Sequence, residues 1–188
     1  MTFCTTMPVP APGADAALDN CILRIADGDL DALAQLYDQT RSAAYGFALS
    51  ILKNTHDAED VLHDTYLQVW NAAGSYRAHG KPLAWLLTIV RNLALAQLRR
   101  QNRTEPLDWD QWQKQFAEIP SVTTEDRMML SGLLSALNDQ ERQIITLHAL
   151  TGLKHREIAA LLDLPLPTVL SKYSRALKKL KLAWKEAI

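Results

Sequence analysis

Cysteine is scarce in this chain of 188 residues: Cys4 and Cys21 stand far apart, with no CxxC spacing. Two isolated thiols argue against a disulfide framework or a thiolate metal site, and they fit a reducing compartment. The five histidines, His56, His63, His79, His148 and His155, show no metal-ligand spacing such as HExxH. The seven glycines form no phosphate-cradling loop. No metal, cofactor or catalytic residue is expected, and His148 and His155 read as surface residues. The longest apolar run, LAWLLTIV, falls far short of the roughly twenty residues that span a bilayer. The start, MTFCTTMPVPAPGAD, lacks the basic and apolar segments of a secretory signal. The expectation is a cytoplasmic, non-enzymatic protein with no membrane insertion of its own.

The least even shortage is of charge of one sign. Residues 65–104 hold six bases and no acid, whereas 13–64 hold ten acids against Arg24, Arg41 and Lys53. Residues 105–126 hold six acids against Lys114, and 127–188 hold ten bases against five acids. The net charge of −1 conceals these opposed blocks. Basic blocks attract phosphate, while acidic blocks attract a basic protein surface or repel nucleic acid, so two kinds of partner are implied.

Few β-branched runs and few glycines point to an all-α chain, and the acidic, aperiodic stretch after Asn102 argues for two small helical domains joined by a flexible acidic linker. Residues 1–17 read as a disordered tail, 18–102 as the first domain, 103–125 as linker and 126–188 as the second domain. A first helix is expected near Asp19–Ala26, broken by Gly28, with Asp29 capping the next. Residues 30–53 have apolar positions at helical spacing in one long helix or two. NTH reads as a turn, followed by the helix DAEDVLHDTYLQVWNAA, the loop GSYRAHGK and the helix PLAWLLTIVRNLALAQLRR, which opens on Pro82. The linker has no clear apolar period apart from Trp109, Trp112 and Phe116, which fit docking on the chain's own domains or on a partner. Beyond it lie MMLSGLLSAL, a helix capped by Asn138 or Asp139 and ended at Gly152, and two further helices separated by PLP.

Three constellations carry function. LKHREIAALLDL and TVLSKYSRALKKLKLAWKEAI have the spacing of a helix-turn-helix, whose second helix enters the major groove. A plain amphipathic hairpin has the same spacing; the one-sided charge favours DNA, with Thr168, Leu170, Ser171, Lys172 and Arg175 facing bases and Lys178, Lys179, Lys181 and Lys185 seeking phosphate. Asp57, Glu59, Asp60 and Asp64 cluster early in a helix. The helix dipole, favouring anions there by roughly 0.3–1 kcal/mol each, explains the first three better than Asp64. Docking on a basic protein surface is the alternative, and the residues alone leave both open. Arg91 and Asn92 form an exposed pair on a helix preceded by Ser75, Tyr76, Arg77, His79 and Lys81. Together these groups offer the charge, stacking and hydrogen bonding that hold single-stranded bases.

DAEDVLHDTYLQVW, KPLAWLLTIVRNLALAQLRR and LNDQERQIITLHALTGLKHREIAALLDLPLPTVLSKYSRALKKLK resemble, in order, the region-two and region-four signatures of bacterial RNA polymerase sigma factors. The absence of other sigma domains resembles the extracytoplasmic-function (ECF) group. The resemblance covers about residues 20–102 and 126–184. It implies that Asp57, Glu59, Asp60 and Asp64 dock on the β′ clamp helices of core polymerase, with the β flap as a further contact. It implies that Ser75, Tyr76, Arg77, His79, Lys81, Arg91, Asn92, Arg99 and Arg100 hold the minus-ten element, a non-template base being flipped into a pocket. Thr168, Leu170, Ser171, Lys172, Arg175, Lys178 and Lys179 would read the minus-thirty-five element. A cognate anti-sigma factor would hold the protein inactive.

Four positions depart from the family pattern. Leu170 stands where Lys or Arg is usual, so one base or phosphate contact is missing or replaced by an apolar contact to a thymine methyl. Pro167 stands for Gly, Asp163 for the turn Gly, and His63 for Gln. The rival readings are a dimeric helix-turn-helix regulator with an N-terminal helical sensor, on half-sites about one turn apart, and a helical adaptor that binds protein only.

Overall fold

The computed structural model describes residues 14–78, 80–101 and 136–186. Most of the tail, the linker with its three aromatics, most of MMLSGLLSAL and His79 lie outside the described residues. Among the described residues are seven α-helices: α1 (Ala14–Ala26), α2 (Leu30–Leu52), α3 (Thr55–Ala72), α4 (Pro82–Gln101), α5 (Asp139–Thr151), α6 (His155–Leu162) and α7 (Leu166–Glu186), with a 3-10 turn at Ala73–Ser75. No strand occurs among them.

α1 starts at Ala14, earlier than the apolar spacing suggests, so residues 14–17 belong to a helix rather than the tail. It buries Leu18, Cys21, Ile22 and Ile25. Asp29 caps α2 as anticipated, accepting from the Ala32 N–H at 3.0 Å while its other oxygen pairs with Arg24 at 2.6 Å. Residues 30–52 form one uninterrupted helix. Lys53 ends it in the left-handed region at φ 57°, a conformation that usually calls for glycine. NTH is not a separate turn: Asn54 caps α3, accepting from the Asp57 N–H at 3.1 Å, and Thr55 and His56 are already helical.

α1–α4 enclose an apolar centre around Leu36, Phe47, Val61, Val69, Leu86, Leu87 and Val90. A polar contact inside it, between Thr40 Oγ1 and the Tyr66 hydroxyl at 2.8 Å, fixes α2 against α3. Burial pushes the Tyr66 phenol up to about 12, against a smaller opposing effect of the Thr40 hydrogen bond. α5–α7 close around Ile144, Leu147, Ile158, Leu162, Val169 and Ala176.

The start of α5 is tightly determined. Asn138 accepts from the Glu141 N–H at 2.9 Å and Glu141 accepts from the Asn138 N–H at 3.1 Å, a complete capping box. Glu141 is buried yet charged. Burial raises its pKa, but Lys179 at 2.7 Å, the Asn138 bond and the charges of Lys179 and Arg175 outweigh that and hold it below the usual value. Arg142, also buried, donates to the Leu137 carbonyl at 2.8 Å and to Asp139 at 3.2 Å. Gly152 ends α5 at φ 67° and Asp163 ends α6 at φ 56°. Asp tolerates the left-handed region better than most residues, so its replacement of the turn glycine is accommodated.

Candidate nucleic-acid interface

On α3 the exposed residues Glu59, Asp60, His63, Asp64 and Leu67 form one continuous strip, because positions three and four apart are neighbours on a helix. Asp57 is set apart from them. It is half-buried and accepts from Gln97 Nε2 of α4 at 3.1 Å, so it ties two helices together.

The connection from α3 to α4 divides the residues expected at the minus-ten element. Ser75 and Arg77 are exposed, though the Ser75 hydroxyl donates back to the Ala72 carbonyl at 2.8 Å. Tyr76 is not displayed. Its side chain is buried, its hydroxyl donates to the Asp19 carboxylate, and its ring lies 4.9 Å from that of Trp85. Burial first, then the Asp19 carboxylate, push its phenol upward. It anchors the loop to α1 instead of offering a stacking face. Lys81 is exposed and faces Glu157 of α6 at 3.6 Å.

α4 separates Arg91 from Asn92. Successive residues point about 100° apart on an α-helix, so Asn92 faces solvent together with Thr88 and Arg99, and Arg100 is exposed beside them. Arg91 is turned toward α6, half-buried, with Nη2 donating to the Leu162 carbonyl at 3.3 Å. The exposed Arg–Asn pair expected from sequence is therefore half right.

α6, the turn at residues 163–165 and α7 have helix-turn-helix connectivity. Thr168 is half-buried near the start of α7, where its N–H donates to the Pro165 carbonyl at 2.9 Å. Ser171, Arg175 and Lys178 share one exposed face, and Leu170 stands next to them with 47% of its surface accessible. Lys172 is half-buried. Lys179 is engaged with Glu141, so it is not one of the free cations of this helix.

Sequence reasoning missed the group under α7. His148 and His155 are half-buried, not surface residues: their rings stack at 4.8 Å, and Tyr173 meets both edge-on at 5.1 and 4.6 Å. His148 Nδ1 lies 3.0 Å from the Leu153 carbonyl, while His155 Nε2 is buried without a partner. Burial, then the neighbouring His148, lower the His155 pKa. Their seven-residue separation gave no hint, because it spans the end of α5 and the start of α6. No group of three or more His, Cys, Asp or Glu among the described residues is placed to hold a metal. No helix among them is long and apolar enough to cross a membrane.

The two helical units match two family models: Sigma-70 region 2 over residues 36–104, and Sigma-70, region 4 over 127–180. The chain is 32% identical over 184 residues to the ECF RNA polymerase sigma factor SigK of Mycobacterium sp. (strain KMS), covering 94% of this chain and 95% of that one. The chain belongs to the ECF sigma factors. SigK of Mycobacterium tuberculosis (strain ATCC 25618 / H37Rv) is 31% identical over 178 residues, covering 90% of this chain and 95% of its own. Solved structures share the fold. The structure of CnrH in complex with the cytosolic domain of CnrY aligns with a TM-score of 0.65 at 24% identity, over 90% of this chain and 98% of that one. The sigma factor RpoE, co-crystallised with the anti-sigma factor NepR from Bartonella quintana, aligns with a TM-score of 0.66 at 24% identity, over 81% and 96%. The first unit of this ECF sigma factor is thus region 2, which replaces the reading of a dimeric regulator with an N-terminal sensor. As a member of the family it is a DNA-binding transcription initiation factor.

Proposed function

We propose a division of labour among these surfaces. The strip Glu59, Asp60 and Asp64 on α3 docks on the basic β′ clamp helices of core RNA polymerase, with Asp57 bracing the strip from within. Arg77, Lys81, Arg91, Asn92, Arg99 and Arg100 hold the minus-ten strand, and Asn92 reads a base extruded from the stack. Tyr76 fixes the loop that carries Ser75 and Arg77. Leu170, Ser171, Lys172 and Arg175 read the minus-thirty-five element, Leu170 through a thymine methyl. Lys178 neutralises phosphate, and Thr168 sets the first turn of the reading helix. The protein works in the cytoplasm without a catalytic step of its own, and a cognate anti-sigma factor keeps it from polymerase.

One observation carries this reading: charge is sorted by surface. Acid occupies the exposed strip of α3, while the loop, α4 and the start of α7 carry cations and no acid of their own. A protein-only adaptor has no use for that arrangement.

Co-elution with purified core polymerase tests the first assignment. Asp60→Arg with Asp64→Arg should weaken core binding at least tenfold, about 1.4 kcal/mol, while the melting temperature holds, because both side chains are exposed. Unchanged binding would remove the acidic strip from the interface.

A further inference from the structure

The histidine pair lies behind the reading face of α7. Successive residues on an α-helix point about 100° apart, so Tyr173 projects about 160° away from both Ser171 and Arg175. It leaves the back of the helix, where Val169 and Ala176 are buried. Its ring meets His148, in the last turn of α5, at 5.1 Å, and His155, the first residue of α6, at 4.6 Å. Contacts hold α7 at three places along its length: the Thr168 and Val169 N–H groups on the Pro165 carbonyl, Tyr173 on the stacked imidazoles, and Lys179 on Glu141. The first fixes where the helix starts, and the last fixes its far half. The middle one stands opposite Ser171 and Arg175, so the stack sets the angle at which those side chains are presented.

The stack suits neutral rings. The Leu153 carbonyl, 3.0 Å from His148 Nδ1, can only accept, so Nδ1 carries a proton there. His155 Nε2 is buried with no partner among the described residues. A second proton on His155 leaves an N–H at Nε2 without an acceptor and places a charge beside another imidazole; both cost free energy in a buried site. The groups around it give no relief. α5 presents His148 and α7 presents Tyr173, while the chain neighbours Lys154 and Arg156 are exposed cations. The carboxylate of Glu157, two residues on, is engaged by Lys81 and by the Lys154 N–H.

We propose that His155, with His148 and Tyr173, is a positioning residue for minus-thirty-five recognition, and that a proton on His155 releases Tyr173 and turns base reading down in mildly acid solution. This rests on the assignment of α7 to the minus-thirty-five element made above. Attraction of phosphate by Lys178 acts over about 10 Å, whereas a base contact needs hydrogen-bond distance and angle. Sequence selectivity is therefore lost before general affinity.

Holoenzyme assembled from the full chain and core polymerase tests this on a promoter fragment recovered by run-off mapping. The comparison is the same fragment with its minus-thirty-five segment scrambled, so the ratio of the two affinities cancels pH effects common to both. In the parent protein the ratio should fall at least fivefold between pH 7.5 and 5.5. His155→Phe and His155→Tyr each keep a ring against Tyr173 and do not titrate in this range, so their ratios should be the same at both pH values. Tyr173→Ala, which takes the ring off the stack, should lower the ratio at pH 7.5. Circular dichroism should show the parent's helicity unchanged between the two pH values. A pH-independent ratio in the parent, a parallel fall in the ring variants, an undiminished ratio in Tyr173→Ala, or helicity lost in step with the ratio would overturn the proposal. A parent ratio near one at pH 7.5 would instead remove α7 from the minus-thirty-five element, and the proposal with it.

Discussion

Asn92 and Arg91 are chain neighbours with different surroundings, and the difference is helical geometry alone. Asn92 is free to face a base, whereas Arg91 must first release a carbonyl of α6. A side-chain amide reading a base edge contributes about 1–3 kcal/mol of discrimination when its bonds are bidentate. Asn92→Ala is therefore expected to relax selectivity at one minus-ten position by an amount in that range, with core binding unchanged. Start-site mapping on a promoter series checks it, and unchanged selectivity would remove Asn92 from base reading. The exposure of Asn92 was legible in the sequence, as a polar residue in the middle of an apolar, acid-free stretch. The opposite fates of Tyr76 and Lys179 were not. Tyr76 is claimed by Asp19, fifty-seven positions earlier, and Lys179 by Glu141, thirty-eight earlier; no local pattern encodes such pairings.

Helix ends were the most readable elements, because caps are local chemistry. Asp29, Asn138, Gly152 and Asp163 all sit where their conformational preferences place them. Asn138 holds half of a capping box over a buried glutamate. Asn138→Ala should cost about 0.5–2 kcal/mol of stability, measurable by urea denaturation. A loss near zero would mean that Lys179 alone fixes Glu141. α6 begins at the histidine stack, which gives this element a pH response. The folded-state pKa of His155 lies below its ordinary 6.5, so the unfolded chain binds more protons between the two values. The stabilisation from neutral His155 is fully present above 6.5 and declines as pH falls through that window. Carboxylates such as Glu141, held below 4.5, contribute only in more acid solution. Thermal melts between pH 7.5 and 5 should show a falling midpoint in the parent and a flatter profile in His155→Phe. Parallel profiles would show that His155 does not titrate there.

At the scale of the whole molecule, periodicity separated two helical units correctly and concealed how they meet. One trace was present: FALSIL, residues 47–52, is too uniformly non-charged for a helix with a solvent face, and Leu49 and Ser50 fall off the apolar stripe that the other four define. Covering them takes α5, from the far side of the linker. Arrangement of this kind depends on surfaces that meet only once both units are built, so sequence pattern identifies the parts and leaves the seam unread. The functional account needs those parts to act together on polymerase and promoter. Run-off transcription with purified core polymerase on fragmented genomic DNA, with and without this protein, tests that most directly. The account predicts defined transcripts only when the protein is added, with start sites that align to reveal one minus-ten and one minus-thirty-five element. No new transcripts, from a protein that also fails to co-elute with core polymerase, would contradict it.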